Sequence, residues 1–177
     1  MSDTILRLTF FLSILIILIM AEILLPKKKR IHNRKDRWIT NGLITLINTA
    51  SVNIVHIAIP LIAIVAAVDV SNGKMGLFNI INFPIWIEII LTVIILDFII
   101  WGQHLLSHKI PFVWRFHRMH HTDRDLDVTT AVRFHPFEII FSMFIKITSI
   151  YILGASAIAV IIFEIMLNGM AMFNHAN

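Results

Sequence analysis

IWIEIILTVIILDFIIWGQHLLSHKIPFVWRFHRMHH, residues 85 to 121, changes character in the middle, and that change decides the fold. Its first half is apolar through Ile100 with only Glu88 and Asp97 interrupting, long enough for a helix at 1.5 Å per residue to cross a bilayer. Its second half packs five histidines into the eighteen positions from His104 to His121. A membrane span that runs directly into a histidine-rich link predicts an all-α integral membrane protein with its chemistry at the membrane surface.

The rest of the chain agrees. Of its 177 residues 58% are hydrophobic, and the mean hydropathy is +0.84. A soluble domain is nearer about half apolar, glycine included, and here the excess lies in runs. Ile5 to Leu25 is a first span. It ends in Leu24, Leu25 and Pro26 with no small-residue cleavage site, which argues against a removed signal peptide. The link KKKRIHNRKDR, residues 27 to 37, holds seven Lys or Arg and belongs in the cytoplasm by the positive-inside rule. A second run covers about 39–68, broken by Asn41, Asn48, Asn53, His56 and Pro60, and its polar insertions suit helix–helix packing. A third covers 85–103, and a fourth, 137–172, is too long for one span and suggests a helical hairpin. Two crossings after the basic link return residues 104–136 to the cytoplasmic side, where Lys109, Arg115, Arg118, Arg124 and Arg133 also fit. The expectation is a single membrane domain, 1–177, of four to five apolar helices. The net charge of +4 resides in these links and is no sign of nucleic-acid binding. There is no cysteine, which excludes disulfides, Cys-ligated zinc, iron–sulfur clusters and thiol catalysis.

His104 and His108 stand at i and i+4, so both imidazoles leave the same helix face. His117 shares a side with His120 and His121, while those two neighbours diverge by about 100° and suit two adjacent ions better than one. Pro111 ends the first helix and permits a bend that turns both groups toward one centre. Neutral imidazole suits iron, copper and zinc. Five histidines beside Arg115 and Arg118 would repel one another if protonated, and a metal holds them neutral. Asp97, Asp123, Asp125, Asp127 and Glu138 are available to accept the second ring N–H of a ligating histidine. His135, before Pro136, reads as such a supporting group or as a helix-start residue. His32 reads as solvated, His56 as a helix–helix hydrogen bond, and Trp101 and Trp114 as packing or interface anchors. Lys146 and Glu164 must face protein or reach an interface.

The stretch LDFIIWGQHLLSHKIPFVWRFHRMHHTDRDLDVTTAVRFHPFE, residues 96 to 138, resembles the fatty acid hydroxylase/sterol desaturase superfamily, through HLLSH, WRFHRMHH and RFHPFE. The resemblance implies that His104, His108, His117, His120 and His121 ligate a non-haem di-iron centre, with His175 in FNHAN a further ligand. It implies an O2-dependent hydroxylation or desaturation of a lipid, sterol or carotenoid-like substrate, with electrons from NAD(P)H through a small redox protein. Two departures stand out. Many relatives carry Arg directly after the first histidine, where this chain has Leu105. The family has a third histidine group of the HxxHH type, and the sequence reaches Asn177 without one, so a fragment is expected. The alternatives are a membrane metal-binding or transport protein, which would want histidines deep in several spans, or a catalytically inactive relative.

Overall fold

The computed structural model describes residues 3–58 and 62–177, with side chains described over 5–55 and 62–177. His56 and Pro60 lie outside the described side chains. Among the described residues the chain is all-α. Eight α-helices follow in order: α1 (Asp3–Leu24), α2 (Arg34–Ala58), α3 (Ala63–Gly73), α4 (Leu77–Ile81), α5 (Ile85–Lys109), α6 (Pro111–His117), α7 (Pro136–Leu153) and α8 (Ala157–His175). A short 3-10 turn, Val128–Val132, sits between α6 and α7.

Five segments are long and apolar enough to cross a membrane: Ile5–Leu24, Ala63–Ile81, Ile85–Lys109, Pro136–Leu153 and Ala157–His175. Their number and length mark an integral membrane protein. The run expected as one helix over 39–68 is two, α2 and α3, and α2 is not among the five spans. Its Arg37, Asn41, Thr45 and Asn48 recur every three to four residues, which gives it a polar face instead of an all-round apolar surface. Two segments long and apolar enough to cross a membrane, Ala63–Ile81 and Ile85–Lys109, lie between the basic link and the histidine link.

The termini follow local rules. α5 stops at Ile110, whose extended backbone precedes Pro111, and Pro111 then opens α6 at a position where its missing N–H is no loss. α7 opens on Pro136 with His135 as its cap, the ring Nδ1 accepting the Phe137 N–H at 3.1 Å. It ends at Gly154 in the left-handed conformation, and the expected hairpin closes through Ser156 into α8. Gly76, also at positive φ, meets Gly154 so closely that a Cβ on Gly76 would stand 2.3 Å from the Gly154 nitrogen. The far ends of the helices are pinned there.

The core sits between α3, α5, α7 and α8. Ala63, Ala66, Ala67 and Val70 let α3 approach closely, against Leu96, Ile150, Val160 and Phe163. A second cluster, Val128, Ala131 and Met172, is covered by Phe11, Ile14, Leu15, Leu18 and Ile19 of α1. Lys146 and Glu164 face protein, as expected: Lys146 Nζ lies 2.9 Å from Glu164 Oε1, and Arg7 lies 3.0 Å from Glu164 Oε2.

Candidate metal centre

Three elements bring imidazoles together at one end of the bundle. The last two turns of α5 carry His104 and His108. α6 ends on His117, and tight turns follow, with His120 N–H donating to His117 O at 2.9 Å and His121 N–H to Arg118 O at 3.1 Å. This compact turn brings His117 and His121 together in one group and His120 into another. The end of α8 supplies His175.

The ring nitrogens form two adjoining groups. His104 and His108 Nε2 are 3.2 Å apart, His108 and His117 Nε2 3.3 Å, and His117 and His121 Nε2 3.0 Å. One nitrogen from each of these four lies within 4.8 Å of the others. His120 and His175 Nε2 face each other at 3.0 Å, and the His120 ring centre is 6.3 Å from that of His104.

The opposite ring nitrogens set the tautomers. His117 Nδ1 is 2.6 Å from Glu138 Oε1, His120 Nδ1 is 3.1 Å from the Arg133 carbonyl, and His175 Nδ1 is 2.8 Å from the Ala171 carbonyl. A carboxylate and two carbonyls accept, so each Nδ1 carries the proton and each Nε2 presents a lone pair. His120 and His175 therefore aim two lone pairs at each other, and His117 aims its own toward His108 and His121. Converging lone pairs repel unless a cation lies among them. A metal–imidazole bond of about 2.0–2.1 Å puts ligands at right angles about 3 Å apart, close to the spacings here. The donor set therefore fits first-row transition metal ions such as iron.

His117 and His120 are buried, His175 half-buried, and His104, His108 and His121 exposed. Burial, then the neighbouring His175, pushes the His120 imidazole down to about 3; burial, then His117, pushes His121 to about 4. Both rings are neutral near pH 7, as ligation requires. Phe134 stacks on His120 with ring centres 4.4 Å apart. Trp114, expected as a packing or interface residue, has its ring 5.3 Å from that of His108 and stacks 6.0 Å from His121.

Behind the rings, the polar face of α2 holds the link. Arg37 Nε donates to both Asp123 oxygens at 3.0 Å, its Nη1 lies 2.8 Å from Asp127 Oδ2, and its Nη2 reaches the Asp125 carbonyl. Asn41 donates to Thr129 Oγ1 at 2.9 Å and Asn48 to the Phe134 carbonyl at 2.7 Å. Asp125 accepts the backbone N–H groups of Ile31 and His32, at 3.0 and 2.7 Å, and these bonds hold its carboxyl below the usual range. The same carboxylate bonds the His32 ring at 3.2 Å, so His32 is tied down as well as solvated.

Of the residues expected to support the ligands, Glu138 does so, while Asp97, Asp123 and His135 are placed otherwise. Asp123 is taken by Arg37, with Arg133 3.6 Å away. His135 caps α7, its helix-start reading. Asp97 is seven residues before His104, about 10 Å along the helix, and bonds no imidazole among the described residues. The carboxylate that does is Glu138, buried in the first turn of α7, with its Oε2 unbonded among the described residues. Its position soon after RFHP at a helix start was the available signal. Arg37 carried none, because its partners are 86 to 90 residues away.

Fold and site together define a helical membrane protein with a histidine cluster at one end of its bundle. A sequence model of the fatty acid hydroxylase family matches residues 89–177, half of the chain, and the chain belongs to that family. It is 26% identical over 148 residues to the ornithine lipid hydroxylase OlsE of Rhizobium tropici, which covers 82% of this chain and 44% of that protein. It is 34% identical over 61 residues to the fatty acid hydroxylase vlmA of Lecanicillium sp, 33% of this chain and 17% of that one. The chain thus spans less than half the length of either relative. No solved structure matches it.

Proposed function

We propose that this chain is a membrane domain of a lipid hydroxylase, with His104, His108, His117, His121, His120 and His175 holding a non-haem di-iron centre at the cytoplasmic face. The overall change is R–H + O2 + 2 electrons + 2 protons → R–OH + H2O. Iron, when bound, supplies the O2 activation that an unactivated C–H bond requires. The electrons come from NAD(P)H through a small redox protein, and the substrate class is an acyl lipid, in line with the names of the two relatives. The basic link and the two later crossings support the cytoplasmic placement.

The observation that carries this reading is the fixed tautomer set. Glu138, the Arg133 carbonyl and the Ala171 carbonyl each hold a proton on Nδ1, which leaves Nε2 free to bind metal. The carboxylate–histidine pair raises the basicity of His117 and fixes its ring. Phe134 packs on His120 and Trp114 on His121. The chain's own residues therefore keep the donors neutral and oriented.

Iron quantification on the protein purified in detergent tests this. About two irons per chain are expected, with hydroxylated lipid accumulating in host membranes in an O2-dependent way. A preparation that neither contains iron nor takes it up on reconstitution would overturn the proposal.

A further inference from the structure

α5 presents one face from its start to the histidine cluster. Measured from Asp97, His104 and His108 lie about 20° to either side of the same line. Trp86, Ile90, Ile94 and Trp101 fall within about 60° of it. All four are exposed, at 62%, 50%, 58% and 56%. The strip is apolar except at Asp97 and ends at two exposed imidazoles of the cluster.

The other acidic residues described within the spans are all answered. Glu22 accepts the Val128 N–H, Asp69 the Tyr151 hydroxyl and Glu88 the Ser156 N–H; Glu138 pairs with His117 and Glu164 with Lys146. Asp97, at the midpoint of the 25-residue α5, has no hydrogen-bond or ion-pair partner among the described residues. A carboxyl group at mid-span is expensive and marks a ligand path by default.

We infer that Asp97 is a substrate-binding residue: it accepts a hydrogen bond from a hydroxyl or amide N–H of a lipid lying along this face. The donor group then sits about 10 Å from the carbon presented at the histidine cluster, the rise from Asp97 to His104. An acyl chain fits the apolar strip on either side, and a donor on that chain answers the one acceptor within it. This assignment rests on the lipid hydroxylase reading and narrows it to lipids that carry such a donor.

Fluorescence quenching of Trp101, one turn from Asp97, reads the site directly. The chain in nanodiscs is titrated with three brominated phospholipids: a plain diacyl lipid, the same lipid with a chain hydroxyl, and an amide-linked analogue. The Trp101→Phe variant identifies the Trp101 signal. At least one donor-bearing probe is expected to half-quench at about tenfold lower concentration than the plain one, the worth of a hydrogen bond to an unpaired carboxylate. Asp97→Leu removes that preference and leaves the plain probe unchanged, and Asp97→Asn, which keeps an acceptor, retains part of it. No preference in the native chain, or one that survives Asp97→Leu, overturns the inference. So does a second copy cross-linked over this face with no change in lipid binding. The readout needs no iron, so an iron-free chain with the preference intact would count against the hydroxylase reading alone.

Discussion

Glu164 and His175 lie on the same helix, eleven residues or about 16 Å apart, and their surroundings are completed in opposite ways. Glu164 sits between Lys146 and Arg7, with each carboxylate oxygen near a cation. That group needs nothing from outside. His175 faces His120, lone pair to lone pair, with the protons of both rings committed on the far side. The two polar groups teach how to separate structure from chemistry in an apolar bundle. A set in which a carboxylate is met by cations ties helices together, and a set whose donors converge without an acceptor or a charge between them calls for a ligand.

The largest break in this comparison is His117→Ala. It removes the imidazole that links His108 and His121, its Nε2 3.3 and 3.0 Å from theirs, and it should abolish iron retention through gel filtration while the bundle stays folded by circular dichroism. Normal iron content would count heavily against the cluster as a metal site. At the other group the expected damage is to stability. Lys146→Met leaves Glu164 with only the half-exposed Arg7 and should lower unfolding stability, by less than the roughly 3–5 kcal/mol that a fully uncompensated buried charge costs, with iron per folded chain unchanged. Replacing Arg7, Lys146 and Glu164 together by methionine should recover most of that loss. Loss of iron in a folded Lys146→Met protein would show that the two groups are not separable.

Glu138 sharpens the contrast, being a carboxylate that serves the cluster. Glu138→Leu should weaken metal affinity by about 10- to 100-fold in a competitive chelator titration, and Glu138→Gln, which still accepts from Nδ1, by less. Equal affinities in all three proteins would remove tautomer control from the account. The smallest effect is a pH response at Asp125. Its two backbone hydrogen bonds hold the folded carboxyl below the usual carboxylate range, so the stabilisation is present above that range and is lost as pH falls through the folded value. The protection factors of the Ile31 and His32 amides, exchange rates corrected for their intrinsic pH dependence, should therefore fall below about pH 4 and stay flat from pH 5 to 8. Protection factors that do not fall at low pH would remove Asp125 from this role.

Local signals read well from sequence. The spans at α1 and α5, the stop at Pro111, the hairpin at Gly154 and the helical spacing of the five clustered histidines all follow from periodicity and from proline and glycine chemistry. The separation of α2 from α3 was not expected, although Pro60, between Ala58 and Ala63, is a residue type that ends helices. Long-range pairing was the other loss. Asp123 looked like a partner for nearby histidines, but the guanidinium of Arg37, 86 residues earlier, reaches it first and with better geometry. His175 came from family resemblance, since nothing in its own neighbourhood marks it, 55 residues from His120.

The contact between Gly76 and Gly154 acts on the opposite end of the molecule through leverage. α7 pivots at Gly154 and carries Glu138 sixteen residues away, an arm of about 24 Å. Moving Glu138 by about 1 Å at the tip then takes a tilt of roughly 2° at the pivot. A side chain at Gly76 would push directly against that fulcrum. Small residues at the far surface thus set the aim of His117, and precision at the cluster is a matter of angle as much as of local contacts.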